Sequence, residues 1–193
     1  MRARLALQVS GVRTELREVV LRDKPEAFLH ASGSATVPCL VKSDGVIDES
    51  LDIMIWALKA HDPDGWLDVT EEAWELIDEC DGPFKQALDR TKYATRYADA
   101  DPEVERARAM VFLNKIEQRL DTWIFQRPSI ADFAILPFVR QFAFVDKPRF
   151  DQEAGPNLRD WLERFLQSDG FRAIMLKYPQ WHPDDVPVHF PSL

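Results

Sequence analysis

At Asp62-Pro63-Asp64-Gly65 the sequence changes its pattern, and that break limits the possible folds more than any other feature. Upstream of it, short apolar runs alternate with turn residues. Leu5, Val9 and Val12 recur at i, i+4 and i+7 with Gly11 as a stop, which predicts a helix over 2–11. Thr14 to Leu21 alternates charged and apolar residues and reads as a strand. Lys24-Pro25 opens a short helical stretch that ends in the small, polar Ala31-Ser32-Gly33-Ser34. Val37 to Lys42 reads as a second strand, Asp44-Gly45 as a tight turn and Val46-Ile47 as its antiparallel partner. Leu51 to Lys59 is then a helix whose first turn carries Asp48, Glu49 and Ser50, acids and a hydroxyl that suit the positive end of its dipole. The order α-β-α-β-β-α makes residues 1–59 a small α/β domain.

Downstream of a linker over 60–67, no stretch reads as a strand. Helical periodicity covers residues 70–93, 102–124, 129–144, 157–168 and 170–178, so 68–193 is expected to be an all-helical bundle. Asp101-Pro102-Glu103 combines an N-cap, a proline at the first helical position and an acidic first turn. Ser129-Ile130-Ala131-Asp132 is a capping box before a long apolar run, and Asp132 is therefore read as structural, not catalytic. Trp161, Phe165, Phe171 and Trp181 are expected in the helical core, and the proline-bearing tail from Tyr178 onward as extended coil.

Charge narrows the class of partner. Lys and Arg number 24 against 33 Asp and Glu, a net charge of −9, which disfavours nucleic acid and anionic membrane but not a small anion held locally. No apolar run approaches the ~20 residues needed to cross a bilayer. Two cysteines, Cys39 and Cys80, are too few for a disulfide scaffold. These features predict a cytoplasmic protein. His30, His61, His182 and His189 show no metal-ligand spacing, so no metal is expected. No glycine-rich phosphate loop or nucleophile elbow is present.

The most specific pairing for chemistry is Val37-Pro38, followed eleven residues after the proline by Glu49-Ser50. An X-Pro bond held cis turns the backbone polar groups of the preceding residue outward, where they can pair with a peptide. An acid and a hydroxyl at a helix N-terminus can hold an α-amino and an α-carboxylate group. The plainer alternatives are a trans proline at a strand edge and ordinary helix capping. Cys39, next to Pro38, reads as a small buried hydrophobe with a lesser chance of being a nucleophile, and Cys80, inside the acidic run Asp78 to Asp81, as structural.

In this order and spacing the sequence resembles the cytosolic glutathione S-transferases, nearest to omega-class and bacterial omega-like members. The likeness is carried by Arg2 to Leu7, Leu21 to Glu26, Val37-Pro38-Cys39-Leu40-Val41, Ile47 to Ile53, Asp62 to Trp66 and Pro128 to Ile135. It implies a thioredoxin-like N-terminal domain, incomplete because its first strand is absent, followed by an all-α C-terminal domain. It also implies that Val37 pairs its backbone with the cysteinyl part of glutathione, with Pro38 as the cis-proline. Glu49 and Ser50 would hold the γ-glutamyl end, and Lys24 would reach the glycine carboxylate. By the same resemblance Tyr93, Arg96 and Tyr97 face the second substrate, a small electrophile or mixed disulfide, and the protein is a homodimer active in detoxification or thiol redox.

The catalytic Cys, Ser or Tyr of that family falls just before the helix that begins here at Met1, on a segment expected upstream of it. A cysteine there implies thiol transfer, and Ser or Tyr implies conjugation. The alternatives are a non-catalytic binding module on the same fold, or a dimer in which a partner chain fills the open sheet edges.

Overall fold

The computed structural model describes residues 1–192 and divides the chain into two compact units. One is Met1–Leu67 together with Asp169–Leu193, and the other is Asp68–Ser168. The first unit is the small α/β part with few strands, and the second is entirely helical. The expected helical domain over 68–193 is therefore corrected at its far end, since everything from Asp169 belongs with the first unit. Phe171 and Trp181 go with it and are half-buried there, whereas Trp161 and Phe165 are core residues of the helical unit as expected.

In the first unit, α1 (Arg2–Ser10) ends at Gly11, which takes the left-handed conformation (φ 68°) and donates its N–H to the Leu7 carbonyl. Only a residue without a Cβ reaches that cap at no steric cost. α1 packs on α3 (Ser50–Ala60), burying Leu5 and Ala6 against a stripe of Ile53, Met54, Ala57 and Leu58. His61 Nδ1 lies 2.8 Å from the Ser10 carbonyl and ties the two helix ends together. Between them run β1 (Thr14–Glu15), α2 (Glu26–Ala31) and a hairpin of β2 (Leu40–Lys42) with β3 (Gly45–Ile47). The hairpin register pairs Leu40 with Ile47 and Lys42 with Gly45.

The strand expected over Thr14 to Leu21 is only two residues long, and its partner was not foreseen. β1 pairs antiparallel with β4 (His189–Phe190), in the tail expected to be coil. Arg4 on α1 binds both α10 (Asp169–Ile174) and the tail, and Arg17 lies over the Trp181 ring. The Arg4 guanidinium donates to the Ile174 carbonyl at 3.2 Å and to Glu18 at 2.5 Å, and lies over the Tyr178 and Phe190 rings. Trp181 N–H donates to the Glu18 carbonyl at 2.9 Å, and Thr14 Oγ1 donates to the Phe190 carbonyl at 3.2 Å. These polar contacts, with apolar packing around Phe190, itself 2% exposed, explain why the tail belongs to this unit. β1 and β2 lie in separate two-stranded sheets.

The helical unit opens with α4 (Glu71–Glu79), a π-turn over Cys80–Phe84 and α5 (Lys85–Lys92), where one helix was expected over 70–93. Pro83 explains the difference. Its missing N–H breaks the regular ladder and its ring crowds the preceding turn, so the chain widens by a residue there. The turn leaves Phe84 buried with its ring 4.9 Å from that of Phe112 and 5.9 Å from that of Phe142. α6 (Pro102–Arg119), α7 (Ile130–Ala143), α8 (Lys147–Glu153) and α9 (Pro156–Gln167) complete the unit. Asp101 caps α6 by accepting the Glu103 N–H at 2.8 Å, and Ser129 and Asp132 form the capping box of α7. Arg106, 3% exposed, lies over the Phe142 ring and reaches the Glu153 carboxylate at 2.8 Å, so this buried cation is paired.

Candidate functional site

The expected ligand-binding residues Lys24, Val37, Pro38, Glu49 and Ser50 all fall in the first unit. Lys24 Nζ donates to the Ala35 carbonyl at 2.9 Å, anchoring the lysine to the segment between α2 and β2. Ala35 itself sits at a φ of 53°. Asp48 closes the same loop from the other side. It accepts from Ser32 Oγ at 2.9 Å and from the Ser34 N–H at 3.4 Å. The hairpin pairs the segment that follows α2 with the one that leads into α3. Leu40 lies opposite Ile47, and just beyond that pair the Asp48 carboxylate acts on the Cys39 thiol. Val37 and Pro38 lie just before β2, and Glu49 and Ser50 just after β3. The Val37–Pro38 peptide is cis, and Val37 is 47% exposed.

α3 begins at Ser50, with Glu49 in extended conformation at its N-cap and no side chain capping it. The leading N–H groups of a helix have no acceptors within it, and the dipole adds roughly half a positive charge at that end. Asp48 was expected in this first turn with Glu49 and Ser50, but its carboxylate turns back to Ser32 and Ser34 instead. Hydrogen bonding from Ser32 holds Asp48 below the usual carboxylate range. What remains at the mouth of α3 is a set of open backbone donors flanked by an exposed acid and a half-buried hydroxyl. An amino-acid head group needs donors for its carboxylate and an acceptor for its ammonium, and this arrangement offers both.

Cys39 is unsuited to nucleophilic work. Burial first, and the Asp48 carboxylate second, push its thiol up to about 11, so it is protonated near neutral pH. Cys80 is fully buried in the π-turn.

Tyr93, Arg96 and Tyr97 lie in the helical unit just beyond α5, around a short 3-10 turn over Ala94–Arg96. The Arg96 guanidinium stacks 4.4 Å from the Tyr93 ring centroid and that of Arg90 lies 5.2 Å from the Tyr97 centroid. Lys92, which sequence reasoning passed over, also lies on the Tyr93 ring, at 4.9 Å. Its one available signal was its place in the last turn of a helix, where cations are common.

Two cavities open at the surface. One, of about 580 Å³, lies between the start of α2 and the tail, lined by Pro25, Glu26, His30 and Trp181 among others. The other, of about 520 Å³, lies beside the loop between α6 and α7 and includes Trp123, Phe125 and Arg127. Neither contains Val37, Glu49 or Ser50. Among the described residues no group of three or more His, Cys, Asp or Glu is disposed to hold a metal ion, and no helix is long and apolar enough to cross a membrane.

Residues 1–65 match the family model described as "Glutathione S-transferase, N-terminal domain", and residues 68–164 match "Glutathione S-transferase, C-terminal domain". No curated protein matches the chain. Among solved structures, glutathione transferase Omega 3C from Trametes versicolor is similar at a TM-score of 0.75 and 16% identity, over 93% of this chain and 85% of that one. A glutathione transferase from Pseudomonas putida, with one glutathione disulfide bound per subunit, has a TM-score of 0.72 and 17% identity, over 89% and 84% of the two chains. A family member from Pseudomonas fluorescens with two glutathione bound has a TM-score of 0.72 and 19% identity, over 88% and 84%. At such identities the likeness establishes a shared fold.

Proposed function

This chain belongs to the glutathione S-transferase family, and from that premise we propose that it binds glutathione at the mouth of α3 and uses it in glutathione-dependent transfer. The observation that carries the reading is the uncapped N-terminus of α3, with Glu49 and Ser50 on it, in a chain whose Val37–Pro38 peptide is cis. The γ-glutamyl carboxylate takes the open N–H groups and the Ser50 hydroxyl, and its ammonium takes Glu49. The backbone of Val37, preceding Pro38, pairs with the cysteinyl residue. Lys24, already positioned on the loop through Ala35, meets the glycine carboxylate with its remaining donors. The Pseudomonas structures that hold glutathione disulfide and glutathione support this ligand. We extend the reading to a second substrate, an electrophile or mixed disulfide, approaching Tyr93, Arg96 and Tyr97, and to a homodimer as the working form.

The second reading is a binding module on the same fold. It is favoured by the Cys39 thiol, which is pushed up and therefore offers no nucleophile beside the site. Titration calorimetry with glutathione tests the shared part of both readings. Binding is expected, and Ser50→Ala should weaken it roughly two- to tenfold, the effect of one hydrogen bond. Absence of binding by the wild-type protein would sink both. A glutathione-dependent assay on chlorodinitrobenzene and on a mixed disulfide then separates enzyme from module.

A further inference from the structure

The cations of the helical unit are mostly matched by acids. Lys85 pairs with Asp89, Arg90 with Asp99 and Glu105, Arg108 with Glu105, Lys115 with Glu79 and Arg119 with Glu72. Arg159 and Arg164 donate to the backbone carbonyls of Asp151 and Thr122, whereas Lys92 and Arg96 meet an aromatic ring. Both are exposed, and among the described residues neither has a carboxylate partner. Their contact is the Tyr93 ring, 4.9 Å and 4.4 Å from the two charges. In a chain of net charge −9, two like charges sharing one aromatic ring form a local positive site.

The position of Lys92 has an ordinary explanation in the negative end of α5, which favours cations. Arg96 lies beyond the helix, on the 3-10 turn, and that explanation does not reach it. The Arg96 guanidinium lies 4.4 Å from the Tyr93 ring centroid on an exposed side chain, so its N–H groups are open to a ligand. Such a fork matches the two oxygens of a carboxylate. The lysine ammonium, on its flexible stem, can then close on the same group. The helix end opposes an anion with about half a charge, which two full positive charges outweigh.

We propose that Lys92 and Arg96, oriented by Tyr93, bind the carboxylate of an aromatic acid, and that the second substrate of this protein is therefore an organic anion. That the acid is a substrate rests on the glutathione reading above; that it binds here does not. Because the ring has already ordered both side chains, less freedom is lost on binding than at an ordinary pair of surface cations.

The test is calorimetry of the full chain with dinitrobenzoate and with dinitrobenzene, which differ by the carboxylate, alongside a glutathione titration. Dinitrobenzoate is expected to bind about tenfold or more tighter, as befits a charge-assisted hydrogen bond. The doubly substituted Lys92→Gln, Arg96→Gln protein should lose that advantage while binding dinitrobenzene and glutathione as before. Tyr93→Phe, which keeps the ring, should retain it, and Tyr93→Leu should reduce it. Equal wild-type affinities for the two compounds would overturn the proposal, as would an advantage that survives the double substitution. If glutathione alone fails to bind, the glutathione reading falls, and the carboxylate site still stands or falls on the dinitrobenzoate data.

Discussion

Removing the Asp132 carboxylate should destabilise this protein far more than removing an ordinary helix cap. The residue is fully buried, and both oxygens are committed. Oδ1 accepts from the Ile124 N–H at 3.0 Å and from Trp161 Nε1 at 3.2 Å. Oδ2 accepts from the Ser129 N–H and from Ser129 Oγ, each at 3.0 Å. A cap residue alone is worth about 0.5–2 kcal/mol. Asp132→Ala also orphans the Ile124 and Trp161 donors, and unsatisfied buried donors cost about 1–3 kcal/mol each. Allowing for relaxation, the expected loss is about 3–5 kcal/mol, within the range for removing one partner of a buried charged cluster. Asp132→Asn keeps Oδ1 and turns a donor toward the Ser129 N–H, so it should lose about 1–2 kcal/mol.

Urea unfolding read by circular dichroism measures these losses. In a chain of this size each kcal/mol lowers Tm by about 2–4 °C, so the alanine variant should melt roughly 6–20 °C early. The pH dependence supplies a second check. Burial raises the Asp132 pKa above 3.8 despite four opposing hydrogen bonds. A carboxyl whose folded value is raised contributes stability that is present below its unfolded value and is lost as pH rises through the folded one. The gap between wild type and Asp132→Asn should therefore widen as the pH falls toward 3.8. An alanine variant within 1 kcal/mol of wild type, on the scale of a lone exposed cap, would refute the reasoning.

Other consequences can be measured directly. A Cβ on Gly155 would collide with the Glu117 side chain, whose carboxylate accepts the Asn157 and Leu158 N–H groups at the start of α9. Gly155→Ala should therefore cost about 1–2 kcal/mol in thermal unfolding, and Glu117→Ala should remove most of that penalty. Cys39, pushed up to about 11, should react with iodoacetamide at pH 8 about a thousandfold more slowly than its full thiolate, and Asp48→Asn should speed the labelling. The Arg149 guanidinium holds the Glu103 carboxylate below its usual value of 4.5. A lowered folded value gives stability that is present above 4.5 and lost as pH falls through the folded pKa, so Arg149→Met should flatten that part of the acid limb of Tm against pH.

Much of the fold was written in local signals. Gly11, Asp44-Gly45, Asp101-Pro102 and Ser129 with Asp132 each fix a turn or a helix end through chemistry within a few residues of themselves. Asp62 does the same for the expected linker, since its carboxylate accepts the Trp66 and Leu67 N–H groups at 2.8 Å. α8 was legible and passed over, because Asp146 caps it through the Arg149 N–H and Pro148 lies in its first turn. Val37, Glu49 and Ser50 also lie next to local signals, the cis proline before β2 and the start of α3. The pairing of β1 with β4 was not legible. Two residues carry no periodicity, and Thr14 finds Phe190 across almost the whole chain. Nor does anything near Arg4 in sequence reveal that it gathers Glu18, Ile174, Tyr178 and Phe190.

The roles of the adjacent acids Asp48 and Glu49 could not be told apart by residue type. Either could cap α3, and a carboxylate that did so would occupy the N–H groups an incoming anion needs. The loop decides between them. Ser32 and Ser34 take the Asp48 carboxylate, and that satisfied side chain leaves the helix end alone. Glu49, in extended conformation, leaves it uncapped as well. Ser32→Ala should therefore act at a distance. With one donor gone, the Asp48 carboxylate is freer to swing onto α3, and it would compete there with a bound carboxylate. The expected outcome in calorimetry is weaker glutathione binding from a residue that touches no part of the ligand, with Ser32→Thr restoring it. Unchanged affinity in Ser32→Ala would mean that Asp48 is held by the hairpin alone and that the open helix end does not depend on the serine loop.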